Sequence, residues 1–149
     1  MIRGVAPVLR TDRLTLVPLD STFVELYDER ECNAAEAHWA AHGFGHWAIF
    51  DGDDFVGGAE VHYAYPGVDG IGTDEIELGW SVVEPRRNEG IATEAMRAAI
   101  DDVWTRTGAD HVTAFIRGEN PPSARVAEKL GLHPRSRNAE RTVYELRAP

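Results

Sequence analysis

The chain has almost no cysteine. Its 149 residues contain one, Cys32, which excludes an intramolecular disulfide and any multi-cysteine zinc site. It also lacks the run of about 18 apolar residues that a bilayer-spanning helix needs. The opening MIRGVAPVLRTDRL has no apolar stretch long enough for a secretory leader. These absences set the expectation of a cytoplasmic, reduced setting without a membrane partner. Basic charge is short too: 15 Lys and Arg stand against 25 Asp and Glu, a net charge of −10. That balance weighs against a nucleic-acid partner, whose binders are usually basic. No internal repeat or low-complexity tract is present. The nearest thing to a linker, YPGVDGIGTDE at 65–75, reads as a long loop between strands, because neither flanking half holds a complete set of elements. A single domain over 1–149 is expected.

What is there suits a folded protein. Hydrophobic residues make up 43% of the chain and charged ones 27%, which excludes disorder. A chain of this length buries roughly two-thirds of its unfolded surface. The charge is unevenly spread. Residues 1–75 carry four arginines and fourteen acids, whereas residues 76–149 carry eleven bases and eleven acids. The whole negative excess lies in the first half.

Hydrophobic patterning gives the order β-α-α-β-β-β-α-β-α-β. Leu14, Leu16 and Pro18 alternate with polar neighbours in a first strand. Asp20 or Ser21 then caps a helix carrying Phe23, Leu26 and Tyr27, and a second helix spans about 33–42. GHWAIFDGDDFVGGAEVHYAY reads as a hairpin about an aspartate–glycine turn. EIELGWSVV is a strand entering a buried sheet. In the following helix Ile91, Ala95, Met96, Ala99, Ile100 and Val103 share one face, and Gly108 stops it. HVTAFIR is a strand, Asn120 and Pro121 open a short helix ending at Gly131, and RTVYELR closes the sheet. A short extra strand is expected near Leu132–Ser136. The strand–helix–strand unit at about 76–117 requires a parallel pair, and the hairpins require antiparallel ones. The sum is a mixed sheet with helices on its faces, an α+β sandwich.

The segment ELGWSVVEPRRNEGIATEA carries the chemistry. A strand runs through a turn into a long helix, whose first N–H groups are unpaired and positively polarised. Gly90 and Ala92 let an anion approach those groups, and Arg87 adds charge beside them. A plain strand-to-helix turn is the alternative on this segment alone. However, RNEGIA, residues 87–92, fits R-x-x-G-x-A, and in this it resembles the acetyl-CoA pyrophosphate signature of the GNAT superfamily of N-acetyltransferases. GWSVV and ATEAMRA are similar to its flanking strand and helix. GENPPSARVAEKLGL is similar to the second cofactor-contacting block, LRTDRLTLVPLD to the opening strand, and HGFGHWAIFD to the second. The likeness runs from about Leu9 to Arg147 and is nearest to the ribosomal-protein N-terminal serine/alanine acetyltransferase branch.

The resemblance implies an α+β fold with a mixed, mostly antiparallel twisted sheet and helices on both faces. It implies an enzyme that moves acetyl from acetyl-CoA to a primary amine, with no metal. Trp80, Ser81 and Val82 would pair with the pantetheine arm and the acetyl carbonyl. The turn Asn88, Glu89, Gly90, Ile91, Ala92 and Thr93 would hold the pyrophosphate with help from Arg87, and Asn120 would bond the cysteamine end. Three departures stand out. Asn88 replaces the usual glycine, and asparagine is the next best residue for a left-handed backbone. Glu89 would repel a pyrophosphate unless it points away. Ala127 stands where many members carry a tyrosine that reprotonates the thiolate.

Amine acetylation needs a base for the ammonium, support for the leaving thiolate and a fixed donor for the oxyanion. Glu77, three residues before Trp80, is the leading base, and Glu60 and His62 are alternatives. Ser123 is the candidate donor to the thiolate. His38, His42 and His46 recur every four residues, but only the first two share a helix face and no H-E-x-x-H pattern is present. Cys32 reads as packing. Trp39, Phe44, Trp47, Tyr63 and Tyr65 read mainly as core, with one or two free to border the acceptor. The acidic first half, including Asp51, Asp53, Asp54, Glu60, Asp69, Asp74 and Glu75, would draw in a cationic amine. Its helical region is short for the branch, which leaves the acceptor cleft open or completed by a second copy in a homodimer. A non-catalytic acyl-CoA-binding domain is the rival reading. Other nucleotide binders are disfavoured, since neither G-x-x-x-x-G-K-[ST] nor G-x-G-x-x-G occurs.

Overall fold

Alternating apolar residues and glycine-marked turns build one eight-stranded sheet in the computed structural model, which describes residues 7–149. The leader expectation rests in part on residues 1–6, outside the described residues. The strands are β1 (Leu9–Arg10), β2 (Thr15–Pro18), β3 (Trp47–Asp51), β4 (Asp54–Tyr63), β5 (Ile76–Val82), β6 (His111–Arg117), β7 (His133–Arg137) and β8 (Arg141–Arg147). Their order is β1-β2-β3-β4-β5-β6-β8-β7. The expected extra strand is β7; β1 is an addition. Three helices, α1 (Glu29–His42), α2 (Ile91–Thr107) and α3 (Pro121–Lys129), complete the α+β fold. Among the described residues no helix is long and apolar enough to cross a membrane.

The first helical region departs from expectation. The stretch after Asp20 forms only a 3₁₀ turn, Ser21–Phe23, and α1 begins at Glu29 rather than near residue 33. Asp20 caps the turn through Thr22 N–H, and Asp28 caps α1 through Glu31 N–H. Phe23 and Tyr27 find apolar partners beneath them, whereas Val24 and Leu26 stay exposed. No continuous apolar stripe therefore exists to support a helix there.

α2 lays its predicted face, Ile91 through Val103, against Val56, Ala59, Val61, Ile76 and Leu78 of the sheet. Each large side chain so buried stabilises the fold by roughly 1.5–3 kcal/mol. Gly108, at φ 68°, ends the helix. On the other face α1 covers Leu19 and Ala48 with Ala35 and Cys32. Cys32 is fully buried and burial pushes its thiol up, which fits inert packing.

All neighbouring strands are antiparallel except β5 and β6. These two pair only at Glu77–Thr113 and Leu78–Ala114. The buried Thr113 hydroxyl donates to Ile76 O at 2.9 Å and fastens the apex. Beyond it β5 continues along β4 to Val82, while β6 follows β8 to Arg117. The sheet splays, and a wedge opens between the two strands.

Candidate active site

A cleft of about 650 Å³ occupies that wedge. Trp80, Ser81 and Val82 line it from β5, Arg87, Asn88 and Gly90 through Thr93 from the turn and α2, and Asn120 and Ser123 from α3. Ten of the eleven residues that the sequence assigns to cofactor binding therefore border one cavity. Glu89 is the exception.

The turn takes the shape its residues demand. Asn88 has φ 65° and is the only non-glycine residue with positive φ among those described; Gly90 follows at φ 78°. Such alternation turns successive N–H groups toward one concave side. Gly90 caps α2 without a side chain, and the first helical bond runs from Glu94 N to Gly90 O at 3.0 Å. The N–H groups of Ile91, Ala92 and Thr93 thus face the cleft without a backbone acceptor. Their dipoles add, as an anion requires.

The repulsion feared from Glu89 does not arise. Its carboxylate takes the guanidinium of Arg86 at 3.1–3.2 Å and faces Arg13 at 4.0 Å. Arg86 also holds Asp51 and Asp54, each at 2.7 Å. Arg13 donates to the carbonyl of Glu89 and to Glu94 (2.8 Å), so the β1–β2 loop braces the turn. With Arg86 committed, Arg87, Arg125 and Lys129 supply the cleft's unpaired positive charge. Arg87 Nε is fixed by Val82 O at 3.0 Å. Asn120 caps α3 by accepting from Ser123 N–H at 3.3 Å, which leaves its amide N–H groups for a ligand. Ala127, one turn beyond Ser123, is fully buried.

Two smaller cavities lie on the other side of β5. One, about 410 Å³, is bordered by Tyr27, Glu31, Phe55, Glu60, Ser81 and Val82. The other, about 260 Å³, is bordered by Arg30, Glu31, His38, His46, Glu60, His62 and Tyr65. Ser81 and Val82 belong to both the cofactor-side cleft and the 410 Å³ cavity. Glycines make this possible. Gly79 lies opposite Glu60 in the β4–β5 ladder, and a Cβ there would collide with the Glu60 carboxylate. A Cβ on Gly58 would stand 2.5 Å from Tyr27 Oη and 2.8 Å from His46 Nε2. Strand glycines here mark close approach of side chains.

The carboxylates differ in setting. Glu77 pairs with His62 across the ladder, is 8% exposed, has an unpartnered buried Oε2 and borders none of these cavities. Glu60 borders two of them. Burial raises both carboxyl groups above the usual range, against the pull of His62. Tyr27 Oη lies 3.4 Å from Ser81 Oγ, and burial pushes the phenol up to about 12. Sequence reasoning placed Tyr27 on a helix and passed over Glu31 and Lys129. The glycine pair in FVGGAE was the available signal for Tyr27.

His38 and His42 share a face of α1 with rings 4.5 Å apart. Both nitrogens of His38 are used, by Phe44 O (2.8 Å) and Tyr63 N–H (3.1 Å), so the ring ties α1 to β4. Glu75, His111 and Glu145 gather within 4.8 Å. Arg135 lies among them, 2.6 Å from Glu75 and 3.3 Å from Glu145, and fastens the 65–75 loop to the far sheet.

Comparison with known proteins agrees with this geometry. The family model described as an acetyltransferase (GNAT) domain matches residues 13–133. A putative GnaT-family acetyltransferase from Bordetella pertussis is 26% identical, with 95% of this chain and 99% of that one covered and a TM-score of 0.81. An acetyltransferase from Agrobacterium tumefaciens C58 is 27% identical over 99% and 98%, with a TM-score of 0.74. The fold is also shared with the ribosomal-protein-S5-alanine acetyltransferase from Vibrio fischeri, at 10% identity, 95% and 96% coverage and a TM-score of 0.73. The wedge, the turn and these matches agree: the chain belongs to the GNAT acetyltransferase family.

Proposed function

We propose that this protein is an acetyl-CoA-dependent N-acetyltransferase acting on a primary amine, a protein N-terminus or a small cationic amine, by direct transfer. The observation that carries this reading is that Ser81 and Val82 border both the cofactor-side cleft and an acceptor-side cavity. A thioester lying along β5 would meet an amine there.

In this reading the pyrophosphate rests on the N–H groups of the turn from Asn88 to Thr93, and Arg87, Arg125 and Lys129 neutralise phosphate charge. The pantetheine arm adds to the free edge of Trp80–Val82, and Asn120 bonds its end. Glu60 is the base favoured over Glu77 and His62, because it borders the cavity that reaches Ser81 and has a raised pKa. It takes a proton from the ammonium, the nitrogen lone pair attacks the thioester carbon, and the C–S bond breaks. The thiolate takes a proton supported by Ser123, and one proton is released overall. A main-chain N–H at the splayed end of β5 faces the oxyanion.

A non-catalytic acyl-CoA-binding domain is the second reading, favoured by the fully buried Ala127, which leaves no phenol on α3. Turnover of acetyl-CoA across an amine panel separates the two. Saturable CoA binding with no turnover on any amine would sink the catalytic reading.

A further inference from the structure

Glu31, Glu60 and Arg30 all border the smaller acceptor-side cavity, and among the described residues none of them is in an ion pair. Several other acids are matched: Asp51, Asp54 and Glu89 by Arg86, Glu75 by Arg135 and His111, Glu94 by Arg13. Glu31 and Glu60 have no ion pair and no side-chain hydrogen bond among the described residues. They nevertheless stand together at the boundary shared by the 410 and 260 Å³ cavities. Burial and the charge of Glu60 raise Glu31 above the usual carboxylate range. Two like charges in such a setting repel, unless a ligand brings positive charge between them.

A second feature points the same way. His46 is 6% exposed, borders the smaller cavity and has an unpartnered buried Nε2. Burial holds the ring neutral, with its pKa lowered to about 3. A neutral imidazole nitrogen without a protein partner can accept a hydrogen bond from an ammonium. Tyr65, 56% exposed at the same cavity, stacks one face of its ring on His62 at 4.7 Å, which leaves the other face for a cation.

The lobes are unequal in role. The larger one reaches Ser81, where acetyl would be delivered; the smaller ends at His46, His62 and Tyr65. A peptide with uncharged side chains brings one cation to this pair of carboxylates, whereas a diamine brings two. Resting on the N-acetyltransferase reading above, we infer that the acceptor is a compact dication, a short aliphatic diamine. One nitrogen is acetylated beside Glu60, while the other ammonium is held in the smaller lobe by Glu31 and His46. The reacting nitrogen forms the C–N bond as the C–S bond breaks, and the second ammonium keeps its proton throughout.

The test compares kcat/KM for 1,4-diaminobutane, 1-aminobutane and an alanine-starting peptide with uncharged side chains, using the full chain. The diamine is expected to exceed both by about tenfold or more, and Glu31→Gln should bring the diamine-to-monoamine ratio close to one, chiefly through KM. Because the three amines are compared on the unaltered protein, the result does not depend on the variant folding. Turnover of the monoamine or peptide at least as good as that of the diamine overturns this inference alone, as does a ratio that Glu31→Gln leaves unchanged. CoA binding without turnover on any of the three overturns this inference, and the N-acetyltransferase reading falls as well if no amine of the wider panel is turned over.

Discussion

The two sides of β5 are built from different material. On the cofactor side, the groups facing the cleft are largely main chain: the turn at Asn88–Gly90, the first N–H groups of α2 and the free edge at Trp80–Val82. On the acceptor side they are side chains drawn from separate segments: Glu31, and Tyr27, Glu60 and His46, which are seated on glycines. A main-chain site depends on backbone shape and tolerates varied residues around it. A side-chain site depends on which residue stands at each place. The first kind suits a ligand common to a family, the second a ligand peculiar to one member.

The largest effect should come from the acceptor side. Glu60→Gln is expected to lower kcat/KM by about 10²–10⁴. It should also abolish the rise of activity with pH, since a base with a raised pKa becomes competent only above the ordinary carboxylate range. Glu77→Gln should cost less; a greater loss there would move the base to the buried carboxylate. Next, Gly90→Val forces a branched residue into φ 78°. A strain of about 1–2 kcal/mol should weaken CoA binding roughly tenfold by calorimetry. An unchanged Kd would break the claim that backbone shape builds the cofactor side.

Smaller effects test what lies between. Glu75→Gln removes the acid that Arg135 and His111 share, at about 1 kcal/mol or a Tm fall of roughly 2–4 °C at neutral pH. Those partners hold the Glu75 carboxyl down to about 2, Arg135 first. Its contribution is therefore complete above the unfolded carboxylate pKa and fades as pH falls toward 2. The Tm gap between the two proteins should close in acid; a constant gap would assign the loss to packing. Raising ionic strength from about 0.05 to about 0.5 M should raise KM for a cationic amine, and a flat response would remove the electrostatic draw. Smallest of all, Asn88→Gly should shift stability by less than about 1 kcal/mol. A large change would show that the asparagine side chain, and not its backbone, matters.

The same contrast explains what could be read in advance. The cofactor side was legible because RNEGIA is contiguous, so spacing alone dictates the turn; even the asparagine for glycine was interpretable from its tolerance of positive φ. The fate of Glu89 was not, because Arg13 and Arg86 reach it from elsewhere in the chain. The acceptor side was mostly hidden. Glu60 meets Ser81 and Glu31 only through strand register and the placement of α1, which pattern does not fix. The charge asymmetry misled in detail for the same reason. Asp51, Asp54 and Glu75 stabilise the fold by pairing with arginines of the second half. The acids common to both acceptor-side cavities are Glu31, outside the set read from sequence, and Glu60.

The splay at Thr113 has one more consequence. Past Leu78, β5 and β6 share no ladder, so the sheet behaves as two leaves joined at a short seam. A ligand paired along Trp80–Val82 would act as a stitch between them, lending mechanical continuity that the polypeptide lacks. Amide exchange at Trp80–Val82 and in the first turn of α2 should then slow on CoA binding, more than at the distant β7–β8 pair. Resistance of the folded chain to proteolysis would rise and fall with the supply of that cofactor.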